Sequence, residues 1–197
     1  MGSLPLYRKS TIPEGAKKVF GGVLFDVYQW EQTLFDGSTA TFEKLARADT
    51  AIIFPVLEDG KILLIHDEQP PDRVARHVAP AGRVEIGETP EEAARRELKE
   101  ETGYEVQELV PLYSGAPASK IDWFLYMYVG KGCTKVSEPE LDPGERITLA
   151  PVTFDEFLTL VTDEARSYHE SFLAKRILKA LHSEEDMKQL KNLFSPS

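Results

Sequence analysis

The chain has 197 residues, 42% of them apolar, which is enough to bury a sizeable core in one domain, or in one domain with a small appended unit. A formal net charge of −10, from 33 acidic and 23 basic residues, disfavours broad binding to nucleic acid or anionic lipid, so any polyanionic substrate needs a local device such as a metal ion. With a lone Cys133 and no apolar run of about 18 residues, neither an intramolecular disulfide nor a membrane span is expected, and the setting implied is cytoplasmic.

In chain order, Val19 to Tyr28 mixes aromatic and β-branched residues. Phe35-Asp36-Gly37 supplies a turn before Thr39 to Leu45, and a small antiparallel β unit is predicted here. Thr50 to Val56, the turn Glu58-Asp59-Gly60 and Ile62 to His66 predict a second, more buried hairpin that starts the main sheet. Gln69-Pro70-Pro71-Asp72 breaks regular structure, and His77 to Arg83 reads as a Gly-containing loop leading into a helix. That helix is sharply punctuated: Thr89 as N-cap, Pro90 at its first position, Glu92 completing a capping box, Gly103 just past its end. Strands follow at Glu108 to Tyr113, Asp122 to Val129 and Ile147 to Val152, then helices at Phe154 to Val161 and Glu164 to Leu181 and a last amphipathic stretch at Lys188 to Phe194.

Within the first helix Glu97, Glu100 and Glu101 stand at i, i+3 and i+4, which puts three like charges on one face about 5–6 Å apart at Cβ. One reading is a solvated face balanced by Arg95, Arg96 and Lys99. The other is a carboxylate cluster turned toward the Gly82 loop and neutralised by Mg²⁺ or Mn²⁺, cations that take oxygen donors and bridge them to phosphates.

The flanking pattern separates the two. From Gly82 to Tyr104 the chain reads GRVEIGETPEEAARRELKEETGY. This resembles the Nudix box, a Gly, five residues, a Glu, seven residues, then Arg-Glu-apolar-x-Glu-Glu-x-Gly-apolar. Every fixed position matches, with Tyr104 standing where the family usually has an aliphatic residue. The resemblance implies an α/β/α sandwich around a mixed sheet and a Mg²⁺-dependent hydrolase of nucleoside diphosphate derivatives, with Mn²⁺ a possible substitute. It implies that Glu97 and Glu101 are metal ligands, with Glu100 in the same shell and the Ala81 carbonyl a further donor. It also implies that Arg96 pairs with Glu88, and that Gly82 and Gly103 serve backbone shape.

Outside the box the layout is similar to the ADP-ribose pyrophosphatase branch, through Phe42-Glu43-Lys44-Leu45-Ala46-Arg47 and the β-rich start. The branch implies that residues 1–48 form a β subdomain packed across a homodimer and helping to build the pocket, and that 49–197 form the catalytic domain. Phe42 would stack on the base, with Phe25, Tyr28 or Trp30 as the second ring, although each aromatic also suits an ordinary β core. Arg47 or Arg83 would offset phosphate charge. In the acidic stretch 138–145, Glu145 aligns best with the branch's catalytic base, the other reading being a solvated loop. The stretch Ala116-Pro117-Ala118-Ser119-Lys120 matches the branch's Ser-Pro-Gly turn only at Pro117. His66 reads as a packed or edge residue, and His77, His169 and His182 lack metal-ligand spacing. The partner expected is a small nucleotide. The activities to separate are hydrolysis of ADP-ribose, hydrolysis of another diphosphate derivative or triphosphate, nucleotide sensing without cleavage, and a purely structural interaction role.

Overall fold

A computed structural model describes residues 11–70, 76–163 and 171–196. The chain begins with β1 (Lys17–Gly21), β2 (Asp26–Thr33), β3 (Thr39–Ala46), β4 (Thr50–Pro55), β5 (Ile62–Glu68), β6 (Arg76–Val78) and β7 (Ala81–Arg83). After helix α1 (Pro90–Thr102) come β8 (Tyr104–Glu105), β9 (Glu108–Gly115), β10 (Ile121–Asp122), β11 (Leu125–Lys131), β12 (Thr134–Lys135) and β13 (Arg146–Val152). Helices α2 (Phe154–Thr162), α3 (Ser171–Ala180) and α4 (Glu184–Leu193) close the described chain.

The central layer is a mixed sheet in the order β7-β4-β11-β9, with β11 parallel to β4 and antiparallel to β9. β4 is buried along its whole length, and its two faces feed two different cores, as the period-2 alternation of a strand requires. Ala51 and Ile53 meet Ala93, Ala94 and Leu98 of α1 together with Tyr126 and Tyr128. Ile52 and Phe54 face the opposite core, where Phe157, Leu173, Ile177, Leu190 and Phe194 from the three later helices gather. The result is an α/β/α sandwich with α1 on one face and the later helices on the other. Truncating Leu98, which is fully buried, would remove on the order of 2–5 kcal/mol.

Several expectations are corrected by pairing between distant segments. Thr50 to Val56 and Ile62 to His66 are joined by a tight turn, with Gly60 at φ 81° and a single bridge between Val56 and Ile62. Beyond that bridge they part into two sheets: β4 takes β7 and β11, whereas β5 lies between β13 and β6. Both edges of β4 are thus occupied by segments far along the chain, whereas β5 has the distant β13 on one edge and the next strand, β6, on the other. The stretch His77 to Arg83, expected to be a loop, contributes to two short strands because β5 and β4 offer it edges. In β5·β6, His66 and His77 stand opposite each other with Nε2 atoms 2.7 Å apart. Asp122 to Val129 divides: Asp122 pairs with β3, Trp123 and Phe124 lie between strands, and Leu125 to Val129 enter β11. The first β run breaks between Gly21 and Asp26, and the sheet β1-β2-β3-β10 is antiparallel apart from the parallel contact of β10 with β3. Helix α4 starts at Glu184 rather than Lys188 because Ser183 caps it, accepting from the Asp186 N–H, and three acidic residues fill its first turn. Residues 71–75 and 164–170, parts of the expected break and helix, lie outside the described residues, as does His169. Among the described residues no helix is long and apolar enough to cross a membrane.

Gly103 connects the fold to the site. It ends α1 at φ 74° with its N–H bonded to the Lys99 carbonyl, and its own carbonyl accepts from Val136 and Ser137. A Cβ there would overlap the Ser137 carbonyl. Gly103→Ala is therefore expected to cost about 2 kcal/mol or more. Gly15→Ala, where nothing lies within 4 Å, should be nearly neutral in the same urea-unfolding comparison. Equal midpoints for the two variants would contradict this reading of Gly103.

Candidate active site

The site grows out of the ends of α1. At its start the Thr89 hydroxyl accepts from the Glu92 N–H at 3.2 Å while the Glu92 carboxylate accepts from the Thr89 N–H at 2.8 Å, which fixes where the first turn begins. With Ala93, Ala94 and Leu98 buried against β4, the adjoining stripe that carries Glu97 and Glu101 is turned toward β7. There Gly82 is needed for space rather than for backbone freedom, because a Cβ on it would overlap the Glu97 carboxylate. Glu101, 8% exposed, accepts from the Ala81 N–H at 3.1 Å.

Arg96 organises the acids around it. Its Nε and Nη2 donate to the two oxygens of Glu88 at 2.9 and 3.0 Å, a bidentate pair. Its Nη1 donates to Glu97 at 2.7 Å and to Glu100 at 3.0 Å, and Nη2 also reaches the Arg83 carbonyl at 2.8 Å. The Glu88 carboxyl is accordingly held below the usual carboxylate range, chiefly by its hydrogen bonds from Arg96. Burial pushes Glu97 up despite Arg96, and pushes Glu101 up to about 9, reinforced by the charges of Glu97, Glu145 and Asp67.

The loop after β12 completes the site. Gly103 holds its first residues, and the Glu140 N–H donates to the Glu100 carbonyl at 2.8 Å, so the loop is fastened to the C-terminal end of α1. Glu145 then enters a cleft of about 360 Å³ that Arg47, Asp67, Gly82, Arg83 and Glu101 also line. Burial raises its carboxyl too, against the hydrogen bond it accepts from the Asp142 N–H, and the charges of Asp67 and Glu100 add to the rise.

Comparison with known proteins agrees with this geometry. A family model for the Nudix domain matches residues 46–175. The chain belongs to the Nudix family. It is 28% identical over 164 residues to the ADP-ribose pyrophosphatase of Bacillus subtilis, covering 82% of this chain and 87% of that one. It is 29% identical over 161 residues to a methanol dehydrogenase activator of Bacillus methanolicus, covering 81% and 86%. A crystal structure of an ADP compounds hydrolase superposes with a TM-score of 0.68 at 24% identity, over 91% of this chain and 98% of that one. The chain is thus a Nudix hydrolase, and the α1 motif is its Nudix box.

The structure brings together Ala81, Gly82, Glu88, Arg96, Glu97, Glu100 and Glu101 at the box, and places Arg47, Arg83 and Glu145 on the cleft. Phe42 and Trp30 form a cross-strand pair, centroids 6.1 Å apart, and neither they nor Tyr28 line the cleft. Trp30 instead borders a separate groove with Lys17, Val19 and Thr41. Sequence reasoning missed Thr50, Ile65, Asp67 and Gln69 as cleft residues. Asp67 could have been placed by alternation, since it shares a strand face with Ile65.

The donor chemistry fits a hard divalent cation. Several carboxylates converge, and two of the box glutamates are disfavoured as anions without a positive partner. Among the described residues no three acidic or imidazole side chains already enclose one point, and Glu97 and Glu100 each give an oxygen to Arg96.

A pH dependence follows from Glu101. Its folded-state value near 9 lies above the ordinary 4.5, so the native protein keeps a proton that the unfolded chain releases between those limits. The stabilisation is fully present below 4.5 and lost as pH rises through about 9, at on the order of 1 kcal/mol per pH unit. In metal-free buffer, urea midpoints across that window should fall more steeply for the wild type than for Glu101→Gln. Parallel profiles would contradict the burial argument.

Proposed function

We propose that the chain hydrolyses the phosphoanhydride of a nucleoside diphosphate sugar, ADP-ribose foremost, to a nucleoside monophosphate and a sugar phosphate, with Mg²⁺ as cofactor and Mn²⁺ able to replace it. The observation that carries this reading is the nearly buried Glu101 beside Glu97, at a cleft that also holds Glu145 and the cation Arg47. Similarity to the Bacillus subtilis ADP-ribose pyrophosphatase along 82% of the chain supports the choice of sugar nucleotide.

The residues divide the work. Glu97, Glu100, Glu101 and the Ala81 carbonyl would hold the cation, which when bound supplies positive charge to the diphosphate. Arg96 keeps Glu97 and Glu100 in place from the side and locks the loop through Glu88 and the Arg83 carbonyl. Arg47 and Arg83 offset phosphate charge in a cleft otherwise lined by acids. Glu145, its carboxyl raised by burial toward the range useful to a general base, takes the proton from the water that attacks phosphorus.

Residues 1–48 are assigned as a β subdomain that contributes to substrate binding, with 49–197 as the catalytic domain. The rings expected to stack on a base, Phe42, Trp30 and Tyr28, lie off the cleft of their own chain. Exposed Val19, Phe20, Val23 and Phe35 decorate the same region. Both features support a homodimer in which one protomer's rings serve its partner's cleft. A cytoplasmic small-nucleotide enzyme, without nucleic-acid or membrane partners, agrees with the net charge of −10.

The test is release of monophosphate from ADP-ribose, other sugar nucleotides, dinucleotides and nucleoside triphosphates, with Mg²⁺ or chelator, for wild type and Glu101→Gln. Turnover of ADP-ribose should vanish with chelator. It should fall in the variant beyond the roughly 10–100-fold loss typical of a supporting residue. Metal-dependent turnover of another panel member would move the substrate. Tight binding without any product would replace the enzyme with a nucleotide sensor.

A further inference from the structure

Arg47 is the first residue of the link between β3 and β4, and three separate contacts converge on it. Its backbone N–H donates to the Asp122 carbonyl at 3.3 Å, extending the parallel pairing of β10 with β3. Its guanidinium carbon lies 4.4 Å from the centroid of the Trp123 ring and 5.7 Å from that of Phe25. Trp123 is 2% exposed and donates through Nε1 to the Thr50 hydroxyl at 3.0 Å, and Thr50 itself lines the cleft.

We propose that Trp123, backed by Phe25, is a positioning residue that holds the Arg47 guanidinium at the cleft for the substrate's diphosphate; this rests on the reading of Arg47 given above. A long cationic side chain carries much rotamer freedom, and ordering it only on binding would lower affinity. An indole face attracts a guanidinium through its π surface, whereas phosphate is bound through the N–H edge, so the clamp and the ligand use different parts of Arg47. Arg83, the other cation of the cleft, has a side chain 59% exposed and its Glu85 partner 3.9 Å away, so the pre-set cation is Arg47. Because Trp123 follows β10 directly, the clamp also ties the N-terminal sheet to the cleft.

The experiment is a double-mutant cycle. Affinity for the non-hydrolysable α,β-methylene analogue of ADP-ribose, and for inorganic pyrophosphate as a sugar-free anion, is measured by calorimetry with Mg²⁺ present for wild type, Arg47→Ala, Trp123→Leu, Trp123→Phe and Arg47→Ala/Trp123→Leu. Arg47→Ala and Trp123→Leu should each weaken binding by about tenfold, the double variant no more than Arg47→Ala alone, and Trp123→Phe should recover most of the loss. Additive losses in the double variant, or an unchanged affinity in Trp123→Leu while Arg47→Ala weakens, would overturn the proposal and leave the role of Arg47 intact. An unchanged affinity in Arg47→Ala would overturn both. Should Trp123→Leu not fold, Trp123→Phe and Phe25→Leu take its place in the cycle, and additivity with Arg47→Ala would again overturn the clamp.

Discussion

One guanidinium, that of Arg96, meets Glu88, Glu97, Glu100 and the Arg83 carbonyl together. A planar group with five donors in a fixed fork can do this and an ammonium cannot, so the loop before α1 and the acidic face of α1 are held to each other in one geometry. The like charges at i, i+3 and i+4 are tolerated because this cation lies between two of them. The third, Glu101, lies deeper, 8% exposed, and accepts from the Ala81 N–H. Its carboxyl therefore bears the largest upward shift among the box glutamates.

Two glycines let that charge pattern form. Gly82 leaves the space that the Glu97 carboxylate fills, and Gly103 allows the loop leading to Glu145 to approach the end of the helix. The Glu145 loop is thus anchored by backbone hydrogen bonds at Gly103 and Glu100, while Glu145 itself lines the cleft. Charge, backbone shape and loop path are linked through a helix whose ends are both fixed by local capping.

Much of this was legible in the sequence because it is local. The cap at Thr89, the stop at Gly103 and the spacing of the glutamates depend on residues within a few positions of one another, and the structure reproduces them. What the sequence hid was non-local. Two buried runs joined by Asp59-Gly60 look like a hairpin, and nothing within them shows that each strand will find its partners elsewhere. The three-residue strands β6 and β7 are too short to carry a period of their own. Arg47 could be nominated from its motif, but its neighbours Trp123 and Phe25 come from the fold. For Phe42 and Trp30 the motif suggested ring stacking, and the structure pairs them with each other across β2 and β3, apart from the cleft.

A carboxyl held near 9 by burial would keep its proton at neutral pH until a divalent cation replaced it. Calorimetric titration with Mn²⁺ in two buffers of different ionisation enthalpy counts the protons released on binding. With a carboxyl near 9, about one proton should leave the wild type for each ion bound, and none should leave Glu101→Gln. Binding without proton release, or the same release from the variant, would contradict the account.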